Sequence, residues 1–201
     1  MTSCREQCGI CPGSNGFCSS VPSQLRERLC ASAHRVRYKK RNEQVMFLDF
    51  RYVLVIESGY VLISRGHRSE RQQGTDIVGP GNIVGIAQLL HPDLDSVINL
   101  LPLTPVEGCL VSLKTLEGLI DESPALGRLL IAEFSERFGR VTGKLTIHSY
   151  GSARERLEFS VERVRELGLE SEVRQEDLAC LAGLSRVTVN RLLNADRPFA
   201  R

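Results

Sequence analysis

Four cysteines stand in the first eighteen residues, spaced Cys4-x3-Cys8-x2-Cys11-x6-Cys18. Thiolates this crowded either ligate metal or exchange with one another, so the spacing points to a metal or redox centre. A second chemical feature lies near the end of the chain. Segments 176–181 and 185–193 flank Ala182-Gly183-Leu184 and carry apolar residues at helical spacing. Gly183 is placed for the tight turn between two short helices, and Ser185 is suited to cap the second. On that second helix Val189, Leu192 and Leu193 fall to one side. Arg186 and Asn190, with Val187 and Arg191 beside them, fall to the other. Guanidiniums and a β-branched methyl surface at the start of such a helix suit the reading of base edges in a major groove. Arginine takes guanine bidentately, and valine offers apolar contact alone, for which the thymine methyl is the partner.

The elements that must position these residues differ along the chain. At 201 residues it is long enough for one large domain or two small ones. Net charge is +2, which neither demands nor excludes a polyanionic partner. No apolar run reaches membrane-spanning length, and the N-terminus, MTSCREQCG, has no apolar signal core, so a cytoplasmic protein without membrane contact is expected. Thiols stay reduced there, and seven cysteines, an odd number, argue for metal or thiol chemistry over a disulfide framework. No Ser/His/Asp set, phosphate loop or paired carboxylate motif stands out, so no enzyme is expected.

Residues 1–20 read as a cysteine-rich loop that needs a ligand to be ordered. A short helix over 22–33 opens a second region, 21–123. Within it, 35–113 breaks into short β-branched runs punctuated by Gly and Pro, among them 52–56, 60–63, 76–85 and 107–113. That pattern predicts a small antiparallel roll or barrel, hence an α+β fold class. After Ser123-Pro124 the period becomes helical over 124–150. Gly127, Ile131, Phe134, Phe138, Val141, Leu145 and His148 are spaced 4-3-4-3-4-3, the a/d seam of a parallel homodimer. Ile131, Phe134, Phe138, Val141 and Leu145 form the expected interface. A core helix lying on the roll would show a wider stripe. Gly139 and Gly143 weaken this helix on its own, and His148 reads as a helix-end residue. Residues 151–201 are helical and hold the two-helix turn. Cys30 and Cys180 read as small core residues.

The run Gln175-Glu176-Asp177-Leu178-Ala179, continued by Ala182 through Leu193, resembles the DNA-binding signature of the Crp–Fnr family of bacterial regulators. The resemblance extends backward through Arg154-Glu155-Arg156-Leu157, through the dimerisation helix over 124–150, and to the glycine turns Ile56-Glu57-Ser58-Gly59 and Gly79-Pro80-Gly81-Asn82-Ile83-Val84-Gly85. It implies an N-terminal β-roll (a cyclic-nucleotide-binding-like jelly roll), a long dimerisation helix and a C-terminal helix-turn-helix. It further implies a homodimer on a palindromic double-stranded DNA site, with half-sites about one helical turn apart, and RNA polymerase as a partner. Ser185, Arg186, Val187, Thr188, Asn190 and Arg191 would carry the DNA contact. Two departures modify this picture. Gly85-Ile86-Ala87-Gln88-Leu89 stands where the family's cyclic-nucleotide sensors have Gly-Glu-Leu, and no Arg-Ser/Thr pair follows before Cys109, so no cyclic nucleotide is expected. After the recognition helix the sequence reads Asn194 to Arg201, so a truncated or absent wing and fewer phosphate contacts are expected.

Cys8-x2-Cys11-x6-Cys18 resembles the N-terminal cysteine group of the oxygen-sensing Fnr branch, with one residue more in its second interval. The run from Cys109 to Glu117, followed by Ser123-Pro124, resembles the segment bearing that branch's fourth ligand. The implied centre is a [4Fe-4S] cluster on Cys8, Cys11, Cys18 and Cys109, with Cys4 as a spare, sensing oxygen, redox state or nitric oxide and controlling genes of anaerobic or redox adaptation. The residues leave alternatives open. Cys4, Cys8, Cys11 and Cys18 alone suit structural zinc, and they also suit a metal-free dithiol switch. A metal-binding protein acting by protein–protein contact, with a vestigial DNA domain, is a further alternative.

Overall fold

The computed structural model describes residues 17–41, 51–66, 72–87 and 98–195. Cys4, Cys8, Cys11, the Gln88-Leu89 pair and the segment from 196, on which the wing expectation falls, lie outside the described residues. The strands are β1 (His34–Tyr38), β2 (Tyr52–Ser58), β3 (Val61–Arg65), β4 (Gln73–Val78), β5 (Ile83–Val84), β6 (Ile98–Pro102) and β7 (Val106–Ser112). They form two antiparallel sheets, ordered β1-β7-β2-β5 and β4-β3-β6. Leu54, Ile56, Val84 and Val106 of the first sheet meet Val61, Ile63, Val78 and Leu100 of the second, making the interior of a β-roll.

The outer faces are buried as well, and this is why β2 and β3 read as unbroken apolar runs rather than alternating ones. The alternate residues Val53, Val55, Cys109 and Val111 pack beneath helices. Those helices are α1 (Phe17–Ser20), α2 (Ser23–Ser32), α3 (Leu113–Glu122) and the first turns of α4 (Pro124–Tyr150). α3 is an element that the sequence reading, whose last strand ran over 107–113 within a roll ending at 123, did not anticipate. Ser112 ends β7 and starts it, its hydroxyl accepting from the Thr115 N–H at 3.1 Å. The outer face of the second sheet, with Leu62, Ile77 and Leu103, packs on Val164, Leu169 and Leu181 of the C-terminal helices. These are α5 (Ala153–Glu166), α6 (Gln175–Ala182) and α7 (Arg186–Ala195). Ser152 and Glu155 close a capping box at the start of α5, with bonds of 2.7 and 3.3 Å.

A row of polar side chains along α4 ties it to the roll. Arg137 donates both terminal nitrogens to the Ile83 carbonyl at 3.0 and 3.1 Å. Arg140 pairs with Asp76 at 3.2 Å. Lys144 donates to the Gly74 carbonyl, and Gln73 Nε2 lies 2.9 Å from His148 Nδ1. Asp76, Gly74 and Gln73 all belong to β4, the outermost strand of its sheet, so the ladder also covers an otherwise open edge. With this side of α4 committed to the roll, Ile131, Phe134, Phe138 and Leu145 are left about half to two-thirds exposed. Phe134 and Phe138 stack with ring centroids 6.3 Å apart, and Val141 is half-buried.

The roll and the C-terminal helices are joined by one buried ion pair. Arg41, in the turn after β1, adopts φ +49, in the left-handed region. Its guanidinium meets Asp177 at 2.6 and 3.1 Å and the Glu172 carbonyl at 2.6 Å. The Asp177 carboxylate also accepts from the Arg174 N–H at 2.7 Å, so one side chain caps α6 and anchors it to the roll. Removing one member of a pair this buried strands the other, at a cost of about 3–5 kcal/mol. Arg41→Met is therefore expected to lower the unfolding free energy by that order. The double variant Arg41→Met/Asp177→Leu is expected to regain most of the loss, as followed by urea unfolding.

Candidate functional site

The C-terminal turn is built by local chemistry. Gly183 sits at φ +62, the left-handed conformation that ends α6 and that glycine adopts without strain. The Leu184 N–H returns to the Ala179 carbonyl at 2.9 Å. Ser185 accepts from the Thr188 N–H at 3.0 Å, and the two hydroxyls are 2.7 Å apart. Both side chains are thereby engaged in capping α7, a role additional to the DNA contact read from the sequence. Leu157, Ala179, Ala182, Leu184 and Val189 form the core of this unit, with Leu192 and Leu193 packed against it.

That core leaves one face of α7 free. Arg186, Val187, Asn190 and Arg191 are exposed, Val187 at 79 %. Arg186 pairs with Glu176 at 3.0 Å, but both side chains are well exposed, so the contact is readily exchanged for another acceptor. The arrangement presents two guanidiniums, one amide and one apolar side chain from a rigidly capped helix. These groups can donate to guanine and to phosphate and contact a methyl edge.

The cysteines occupy a different surface. Cys109 on β7 is buried on the helix-covered face, beside Arg35 and Val55 in register. Its Sγ lies 3.2 Å from Glu57 Oε1. Arg35 bridges Glu57 and Glu107 at 3.5 and 3.0 Å. Cys18 on α1 packs against the same apolar core as Cys109. Two of the four sequence-predicted ligands thus border one core, although they are far apart along the chain. Cys8 and Cys11 lie outside the described residues, as does Cys4. Among the described residues no three His, Cys, Asp or Glu side chains gather into a metal site. The donor type suits a four-thiolate iron–sulfur cube. Cys30 lies in this core too, as its small apolar character suggested. Cys180 packs at the edge of the core between α6 and the roll, half-buried rather than enclosed, with its Sγ 3.5 Å from the Gln72 carbonyl.

A cavity of about 260 Å³ opens between the roll and α4, lined by Ile63, Arg65, Asp76, Phe134, Arg137 and Phe138 among others. Arg137, the more buried arginine, is committed to the Ile83 carbonyl. Sequence reading missed the parts played by Arg41, Asp177, Arg140 and Lys144. Each makes its contact with an element remote in sequence, and each resembles an ordinary surface charge when only the helix period is considered. Among the described residues no helix is long and apolar enough to cross a membrane.

No family model matches the chain. It is 26 % identical over 175 residues to the cyclic AMP receptor protein of Thermus thermophilus, covering 86 % of this chain and 77 % of that protein. Among solved structures it is similar to CLP, the c-di-GMP-responsive global regulator of Xanthomonas campestris. That match has 25 % identity and a TM-score of 0.71, with coverage of 87 % and 91 %. A crp/fnr-family protein from Eubacterium rectale shares the fold at 12 % identity, with a TM-score of 0.72 and coverage of 88 % and 84 %.

His148 links the two halves of the molecule, lying against both Gln73 and the Gly183 turn. Burial, then Lys144 and Arg156, hold its imidazole below the ordinary range. The bond from the Gln73 amide needs the unprotonated Nδ1. Unfolded histidine takes up its proton near pH 6.5 while the folded one resists, so stability falls as pH drops below about 6.5. His148→Gln is expected to flatten that part of the stability–pH curve relative to wild type, measured by thermal unfolding between pH 7 and 5.

Proposed function

We infer that this chain, a Crp–Fnr-type transcription regulator by its relatives and its fold, binds a palindromic DNA site as a homodimer and senses oxygen or redox state through an iron–sulfur cluster. The observation that carries the DNA reading is the free face of α7. Arg186, Val187, Asn190 and Arg191 are exposed on a helix whose other face is locked into a core and whose start is capped by Ser185. The exposed apolar seam of α4 supports association with a second copy, since a solvated row of two phenylalanines and two aliphatic residues is costly to leave uncovered. A cytoplasmic location and contact with RNA polymerase belong to the same reading.

Support for the cluster comes from Cys18 and Cys109 bordering one core, with Cys8 and Cys11 closely preceding Cys18 in sequence. Cys8, Cys11, Cys18 and Cys109 would hold it. When bound, a [4Fe-4S] cluster supplies a redox-active, oxygen-labile centre. The chain's own residues link its neighbourhood to the dimer helix. The Phe17 N–H donates to the Gly81 carbonyl at 3.1 Å. In the same turn, Asn82 accepts from the Gly79 N–H at 3.0 Å and donates to Glu133 of α4 at 3.0 Å. A change at α1 therefore bears on α4 through the 79–82 turn. The seam carries no charge opposing association at Phe138 or Val141, so cluster loss would reorient the DNA-binding helices more than it would separate the subunits. The relatives' names attach cyclic nucleotides to those proteins. The roll cavity, where Arg137 is already committed, is the place such a ligand would have to be tested here.

Anaerobic purification is expected to give a coloured protein with about four iron and four sulfide per chain. Air should bleach it and weaken DNA binding without changing its elution as a dimer in size-exclusion chromatography. A colourless, zinc-loaded protein would overturn the cluster, and clean dissociation to monomer would overturn the reorientation. In a binding-site selection, Val187→Glu is expected to shift the half-site away from thymine at the contacted position and towards cytosine, with about 1–3 kcal/mol of discrimination. An unchanged preference would remove Val187 from base reading.

A further inference from the structure

Gly139 and Gly143 lie one turn apart on α4, and each costs about 1 kcal/mol of helix stability relative to alanine. Steric crowding does not require them, because a Cβ at either position would meet nothing within 4 Å. What they open is a cleft of about 360 Å³ between α4, α5 and β4. Ile77, Leu181, Ser160 and Lys144 line its buried part, Phe159 lies on one wall, and Arg140 and Arg163 stand nearer the rim. At about 100° per residue, Gly143 lies roughly 140° around the helix from Phe138. The cleft therefore opens away from the apolar seam, and a second copy seated on the seam would leave it free.

The cleft lining carries as many acidic as basic side chains, Asp76, Glu162 and Glu166 against Arg140, Lys144 and Arg163, but they are not matched in depth. Asp76 is engaged by Arg140 at 3.2 Å, and Arg163 pairs with Glu166 at 3.1 Å. Lys144 is only 9 % exposed, yet its contact is a neutral carbonyl, that of Gly74. Burial pulls its ammonium down to about 8, which Cys180 and then Asp76 only partly offset. The volume falls within the range of small-molecule sites, and such sites favour junctions between helices and domains with mostly apolar walls and few polar groups.

We propose that this cleft binds a small organic monoanion, its carboxylate on the Lys144 ammonium and its apolar body against Gly139, Gly143, Phe159 and Leu181. The ligand would touch the dimer helix, the first helix of the C-terminal unit and α6 together. It would therefore favour whichever relative arrangement of the three fits it best. The proposal is independent of the iron–sulfur reading and concerns a different face of the molecule.

Titration of the full chain with hexanoate, followed by calorimetry and by thermal unfolding, tests it. Saturable binding with a rise in melting temperature is expected for wild type. Gly143→Leu, which fills the cleft with a better helix former, and Lys144→Met should each weaken it at least tenfold. Gly139→Leu provides a second filling variant should Gly143→Leu fail to fold. Hexanol should bind at least tenfold more weakly than hexanoate. Absence of saturable binding, equal binding of hexanol, or unchanged affinity in the filled and Lys144→Met variants would each overturn the proposal.

Discussion

The rotation of α4 about its own axis is the constraint on which the remaining structure depends. Arg137, Arg140, Lys144 and His148 follow one another at helical spacing and each reaches a partner on β4 or β5. These contacts are directional, so a turn of one residue, about 100°, would break all four at once. With this face fixed, Leu126 and Leu130 enter the core over the first sheet, while Ile131, Phe134, Phe138 and Leu145 are turned outward. The seam is available to a partner because polar groups, rather than apolar ones, hold the opposite flank of the lower helix to the roll.

The same β4 strand connects the ladder to the C-terminal helices. Gly74 lets its backbone approach Leu181, where a Cβ would come within 3.1–3.2 Å of that residue. Leu62, Ile77 and Leu103 of the roll share one apolar core with Val164, Leu169 and Leu181. Arg41 and Asp177 close the contact at its edge. The roll and the helix-turn-helix thus share an apolar core closed at its edge by a buried ion pair. A change of orientation between them must expose apolar area and separate a buried ion pair, so it needs a ligand with strongly different affinity for the two arrangements.

The parts of this architecture legible in the sequence are those whose physics is local. The Gly183 turn, the Ser185 cap and the buried Val189 each follow from residues within one or two turns, and the structure has them in those roles. The two-sheet roll was legible from β-branched runs broken by Gly and Pro. Helix α3 was not, because Val106–Ser112 runs into Leu113–Glu122 with no Gly or Pro break at the junction, and only the Ser112 hydroxyl marks the change of period. Lys144, Arg140 and Arg41 look like solvated charges in any window of sequence. Their partners, Gly74, Asp76 and Asp177, are brought to them by strand pairing and domain docking, which no local pattern encodes. Cys180 has the size of a core residue and packs at a core's edge, but its contact with the Gln72 carbonyl across the domain boundary is not legible locally.

Helix α4 has a different neighbour at each end, and this places it between the cysteine-bordered core and the C-terminal turn. Its first turns lie on the core that Cys18, Cys30 and Cys109 border, and Glu133 holds the Asn82 turn to which α1 is bonded. Its last turns carry Lys144 beneath the C-terminal helices and His148 against the Gly183 turn. Between the two ends, Gly139 and Gly143 remove side-chain bulk on the side facing α5. A movement of α4 against α5 would close or widen this cleft, and the shared apolar core and the Arg41–Asp177 pair would oppose it. The glycines that weaken the helix as a rod leave this contact unfilled, where a fully packed α4–α5 contact would resist any such movement more strongly.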